Sequence, residues 1–195
     1  LHEPKNINNY KSNFYRRLAF DEILSSFLIS SEIRKKIKKI KKNSKKFSNI
    51  GFKKIMSKMN FNLTNDQQKT LDEINNDISS KNKMFRLLQG DVGSGKTIVS
   101  LISALNVVES GYQVAFMAPT EILAKQHFNL ANKIFPNNIN LDILSSKTDY
   151  HKKKLILKKI ETNKIDIIFG THSLFQKKIV FNNLGYIIID EQHKF

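Results

Sequence analysis

Cysteine is absent from these 195 residues, which removes both a disulfide framework and thiolate metal ligation from consideration. No apolar run approaches the roughly 20 residues that a helix needs to span a bilayer, and no signal-peptide pattern opens the chain. The expectation is a soluble, cytoplasmic protein with no membrane partner. Acidic residues are scarce: 17 Asp+Glu against 33 Lys+Arg leave a formal net charge of +16. A surplus of that size makes nucleic acid the leading macromolecular partner. Most of it is lysine, accompanied by abundant asparagine and isoleucine. AT-rich coding produces the same texture, so the charge by itself favours nucleic acid only modestly. Glycine is sparse as well, seven in all, and three of the seven fall at positions 90, 93 and 95.

Those three belong to Gly90-Asp91-Val92-Gly93-Ser94-Gly95-Lys96-Thr97, a complete G-x-x-x-x-G-K-[ST] phosphate-binding loop. An apolar stretch, Met84–Gln89, precedes it and a helix-like run from Thr97 follows it. That strand–loop–helix context gives the motif its physical sense. Backbone N–H groups of the turn and of the helix start form a nest for anionic oxygens. Lys96 is expected to reach the β- and γ-phosphates, and the Thr97 hydroxyl to ligate Mg²⁺. The chain is therefore expected to bind a nucleoside triphosphate.

The rest of the chain divides by texture. Residues 1–60 are read as a basic, helical linker segment. Leu18, Ile23, Phe27, Ile33, Ile37 and Ile40 recur at roughly helical spacing between Phe14 and Lys46. Nine basic residues crowd Arg34–Lys46, either as a solvated face or as a helix beside a DNA backbone. From residue 61 to 195, helical and strand signals alternate. Thr64-Asn65 caps a helix predicted to run to about Ile78. Strands are predicted at Met84–Gln89, Gln113–Ala118, Leu141–Leu144, Ile165–Phe169 and Tyr186–Ile189, with helices at Thr97–Glu109, Glu121–Ile134 and Tyr150–Glu161. The strands are short, apolar and not alternating, as expected where both faces of a parallel sheet are covered. The fold class is α/β: a P-loop NTPase parallel-sheet sandwich of the RecA-like kind, preceded by a helical linker.

A second chemical motif closes the chain. Ile187-Ile188-Ile189 runs into Asp190-Glu191-Gln192-His193, an apolar strand ending in two adjacent carboxylates. Asp190 is expected to hold Mg²⁺ and Glu191 to orient and deprotonate the attacking water. Gln67, some twenty residues before the loop, offers a donor and an acceptor suited to an adenine edge. Pro119-Thr120 and Gly170-Thr171 each follow a predicted strand and suit phosphate-backbone contacts without sequence preference, although the threonines could equally be helix caps. His172 and His193 lack further ligands at metal-binding spacing; His193 is read instead as a polar coupler next to the nucleotide site.

Gln67, the loop 90–97, Pro119-Thr120-Glu121, Gly170-Thr171-His172 and Asp190-Glu191-Gln192-His193 occur in the order of the superfamily 2 helicase motifs. Within that superfamily, Arg86–Thr97, Met117–His127 and Gly170–Gln176 resemble the RecG family of bacterial branch-migrating helicases, and Arg17–Leu24 resembles the segment leading from that family's wedge domain into its motor. The resemblance implies ATP at Gly90, Asp91, Val92, Gly93, Ser94, Gly95, Lys96 and Thr97 with Gln67 on adenine. It implies Mg²⁺ at Thr97 and Asp190, Glu191 as the catalytic base, and DNA backbone contacts at Pro119, Thr120, Gly170 and Thr171. The activity it implies is ATP-driven translocation by a monomeric motor on double-stranded, branched DNA in recombination and repair. Other duplex translocases of the superfamily, of the transcription-repair coupling or primosomal type, share the loop and the acidic motif. A non-hydrolysing DNA-binding module is the reading from a different class. The family's second motor lobe and wedge domain have no counterpart in these residues. The sequence is accordingly expected to be part of a longer protein, and to turn over ATP barely, if at all, by itself.

Overall fold

The structure, a computed structural model, describes residues 13–39, 55, 62–176 and 178–194. The chain forms two compact units, Leu1–Ser44 with Ser80–Met84 and Lys45–Ser79 with Phe85–Phe195. In the first, helix α1 spans Asn13–Lys39. Its apolar positions Leu18, Ile23, Phe27 and Ile33 are exposed, and the basic positions beyond residue 39 lie outside the described residues.

The second unit is a parallel α/β sandwich. Its helices are α2 (Asn65–Ser79), α3 (Lys96–Glu109), α4 (Glu121–Ile134) and α5 (Tyr150–Glu161). Its strands are β1 (Gln113–Met117), β2 (Leu141–Leu144), β3 (Ile167–Gly170) and β4 (Leu184–Ile189). The sheet order is β2-β3-β1-β4, every pair parallel. Register fixes which residues share a face. Phe116 pairs with Phe169 and Ile188, whereas Met117 pairs with Gly170 and Ile189. On one face Phe116 stacks on Phe169 with centroids 5.3 Å apart, and α4 covers them through Phe128. On the other face Ala115, Met117, Leu144 and Ile168 pack with Ile156 and Ile160 of α5. Among the described helices α5 is the cover on that face, and Ile187 and Ile189 beyond it on β4 are exposed.

The amino edge of the sheet is held by one buried amide. Gln113, 2% exposed, donates from Nε2 to the carbonyls of Ile160 and Ile165, both at 2.9 Å. Its Oε1 accepts from the backbone N–H of Asn183 at 3.0 Å. Helix starts are set locally. The Thr120 hydroxyl accepts from the N–H of Leu123, and the Asp149 carboxylate from that of His151. These side-chain caps satisfy first-turn donors that have no partner inside the helix.

The strand expected at Met84–Gln89 does not form. These residues join no ladder, and Phe85 and Leu87 are 84% and 72% exposed. A strand exists only through a partner's hydrogen bonds, and among the described residues β4 pairs with β1 alone. The segment is instead pinned to α2 by Arg86, whose guanidinium donates to Asp77 at 2.8 Å and to Glu73 at 2.6 Å. Those two carboxylates raise the Arg86 pKa further above its already high value.

Candidate nucleotide and metal site

In a parallel sheet all strands end on the same edge, and ligand-binding loops gather there. Here that edge carries the turns after β1, β2, β3 and β4. The phosphate loop leads into α3, and its shape follows from its glycines. Gly93 and Gly95 take φ of +84° and +81°, the left-handed region that residues with a Cβ rarely adopt. At Gly95 a Cβ would also run into the Gln67 amide. Because the residue capping α3 is Gly95, no side chain satisfies the first N–H groups of that helix. The Ile98 N–H turns back to the Gly95 carbonyl, and in contrast to capped α4 and α5 the N–H groups of Lys96 and Thr97 are left for an anion. Lys96 folds back over the loop, its Nζ donating to the carbonyls of Gly90 and Asp91, both at 2.7 Å. The ammonium thus closes the cup in which a phosphate would displace those carbonyls.

Gln67 has a role the spacing alone did not disclose. Thr64 N–H donates to Gln67 Oε1 at 3.0 Å, and Gln67 N–H to the Thr64 hydroxyl at 3.3 Å. This reciprocal pair is a capping box, for which T-x-x-Q is the sequence signal. Gln67 Nε2 then donates to the carbonyl of Ser94 at 2.9 Å. The residue read as an adenine contact therefore also joins the start of α2 to the phosphate loop.

Asp190 and Glu191 diverge although they are neighbours. Asp190 continues the register of β4, its N–H donating to the carbonyl of Met117 at 2.8 Å. Glu191 turns into the left-handed region at φ +50°, an uncommon conformation for a residue with a side chain, and one that recurs at functional sites. The Asp190 carboxylate is held below the ordinary aspartate range, chiefly by its hydrogen bond from His127, then by the charge on His127, the N–H of Glu191 and the charge of Lys96; partial burial opposes the shift. A carboxylate and the Thr97 hydroxyl are hard oxygen donors, the kind that Mg²⁺ takes together with phosphate oxygens and water. The donor set fits that ion. His193, the expected coupler, is exposed and 3.4 Å from Glu191.

His127 is the residue that sequence reasoning missed. It lies on α4, is 8% exposed, and its Nε2 is 2.8 Å from Asp190 Oδ2. The available signal was a polar residue inside the buried Ala124–His127–Ala131–Ile134 stripe, a position that demands a partner.

The remaining expected residues lie on the same edge, in the turns after β1 and β3. Thr120 is the cap of α4, while Thr171 makes no side-chain cap bond to the short 3-10 turn His172–Phe175. Gly170 has a packing reason of its own. A Cβ there would come 2.6 Å from the carbonyl oxygen of Leu144 and 2.9 Å from the Leu174 side chain. Glu121 reaches the turn after β2, where its carboxylate accepts from the hydroxyl and the N–H of Ser146.

The DEAD/DEAH box helicase family model matches residues 64–195. The ATP-dependent DNA helicase RecG of Aquifex aeolicus is 41% identical over 204 residues, spanning all of this chain and 25% of the relative. The RecG of Borreliella burgdorferi is 41% identical over 186 residues, 95% of this chain and 26% of the relative. A solved structure of RecG bound to a three-way DNA junction superposes with a TM-score of 0.83 at 41% identity, covering 92% of this chain and 25% of that one. The chain thus spans about a quarter of the length of these relatives. With its phosphate loop, β4 carboxylates and strand-end turns placed on one sheet edge, the chain belongs to the DEAD/DEAH box helicase family.

Proposed function

We propose that residues 61–195 are the ATP-binding lobe of an ATP-dependent DNA helicase or translocase of the RecG kind, preceded by a basic helical segment over residues 1–60. ATP occupies the loop Gly90–Thr97 with Gln67 on the adenine. Mg²⁺ is held by Thr97 and Asp190, and Glu191 activates water. When bound, the ion neutralises charge on the phosphates. This chain's own part is to present the α3 N–H groups and Lys96 to those phosphates, and to keep Asp190 ionised beside them. Pro119, Thr120, Gly170 and Thr171 contact the DNA backbone. Branched duplex DNA is the proposed substrate, since the similar RecG was solved on a three-way junction. A cytoplasmic location and a monomeric motor complete the reading.

The observation that carries it is the phosphate loop itself, where Gly93 and Gly95 take the left-handed region, α3 starts without a side-chain cap, and Lys96 folds its ammonium over the cup. Titration of a fluorescent ATP analogue into Lys96→Ala tests it. Loss of at least tenfold in ATP affinity, with duplex binding retained, is expected, because a charge-assisted contact to phosphate is worth roughly 1.5–3 kcal/mol. If ATP affinity survives while DNA affinity falls, the loop is a DNA anion site and the motor reading fails.

A further inference from the structure

We propose that His127 is a positioning residue for the metal site: it fixes the orientation of the Asp190 carboxylate, so that α4 reaches the nucleotide site as well as the turn at Thr120. The inference rests on reading Asp190 as the Mg²⁺ carboxylate.

Two features carry it. First, the backbone of Asp190 is already fixed by its bond to Met117, so the remaining freedom is rotation of the side chain. The contact from His127 Nε2 to Oδ2 at 2.8 Å removes that freedom. An ionised carboxylate only accepts, so the hydrogen lies on Nε2. Second, the imidazole cannot follow the carboxylate if it moves. The ring lies against Phe116 at 4.9 Å, and Phe116 is in turn stacked on Phe169. The donor is therefore built into the core of the sandwich rather than placed on a mobile surface chain. Donors that orient a metal-binding carboxylate typically alter metal affinity by about 10–100-fold when removed.

The test uses the 195-residue chain, a fluorescent ATP analogue, and Mg²⁺ titrated against a chelated control. His127→Gln places an amide donor near the position of Nε2. His127→Asn carries the same amide one methylene short of Asp190. The expected result is an Asn variant whose Mg²⁺ midpoint for nucleotide binding rises about tenfold, with metal-free affinity within twofold of the parent chain. The Gln variant should recover most of that shift. Should the Asn variant prove unstable, His127→Leu fills the site without a donor and is expected to behave as Asn. Equal Mg²⁺ midpoints in the Gln variant and in whichever variant lacks the donor would overturn the proposal. So would affinity that falls equally with and without Mg²⁺, which marks His127 as a core residue only. Asp190→Asn separates the two layers. If it leaves the Mg²⁺ dependence intact, the metal-site reading has failed. If it abolishes the dependence while the His127 variants do not move it, the positioning role alone has failed.

Discussion

Glu121 joins two turns at the carboxyl edge of the sheet. It is the first residue of α4, and its carboxylate accepts from Ser146 beyond β2, with the N–H at 2.9 Å. The Ser146 hydroxyl is the main reason its pKa lies below the ordinary glutamate value, with the Ser146 N–H and the charge of Lys147 adding to it. A carboxyl depressed on folding contributes stability that is present above its unfolded pKa, roughly 4.3. That contribution is lost as pH falls through the lower folded value. Glu121→Gln should therefore lower the thermal midpoint at neutral pH, by a small amount because the group faces solvent. The gap to the parent chain should narrow as pH drops below about 4. A gap that is constant from pH 7 downward would assign the effect to shape rather than charge. At this scale the sequence was partly readable. Lys96, Asp190 and Glu191 announce themselves because their motifs are contiguous. His127 does not, because its partner lies 63 residues away and only the fold brings them together.

Elements were readable where their signals are local. The bounds of α4 and α5 match the sequence-based expectation because Thr120 and Asp149 cap them from the adjoining residue. Met84–Gln89 shows the converse: its composition suits a strand, but pairing is a property of the neighbour. The same distinction predicts which interior changes are costly. Gln113 is invisible as a structural residue in sequence, yet its side chain satisfies two carbonyls and one N–H that tie β1 to the segments entering β3 and β4. Gln113→Leu keeps the volume and orphans the Ile165 carbonyl and the Asn183 N–H, while the Ile160 carbonyl keeps its bond from the Asn163 N–H. It should cost about 3 kcal/mol in urea unfolding, and a loss under 1 kcal/mol would mean that water replaces the amide. Gly170→Ala tests a second element. Its Cβ would press on the carbonyl of Leu144, which is backbone and cannot move alone, so about 2 kcal/mol should be lost. An unaltered stability with weakened DNA binding would shift the weight at Gly170 from packing to the proposed backbone contact.

For the whole molecule, the formal charge of +16 has two origins to separate: a nucleic-acid footprint or lysine that merely reflects coding bias. Position in the fold distinguishes them. In a parallel sandwich the helices run back from the carboxyl edge to the amino edge, so α5 begins near the proposed DNA contacts and ends away from them. Lys147, in the turn after β2, belongs to the carboxyl edge, whereas Lys159 lies in the last turn of α5. Each phosphate neutralised contributes about 0.9 to the slope of log K against log salt on duplex DNA. Lys147→Gln should therefore reduce that slope by up to about 1, and by the same amount on unrelated duplex sequences. Lys159→Gln should leave it near the parent value, although both variants lose the same formal charge. Fluorescence anisotropy across a salt series measures the two side by side. Equal reductions would mean that the field of the whole molecule, rather than its carboxyl edge, attracts the duplex. A slope near zero in the parent chain would assign the lysine surplus to composition and leave DNA contact to other parts of the protein.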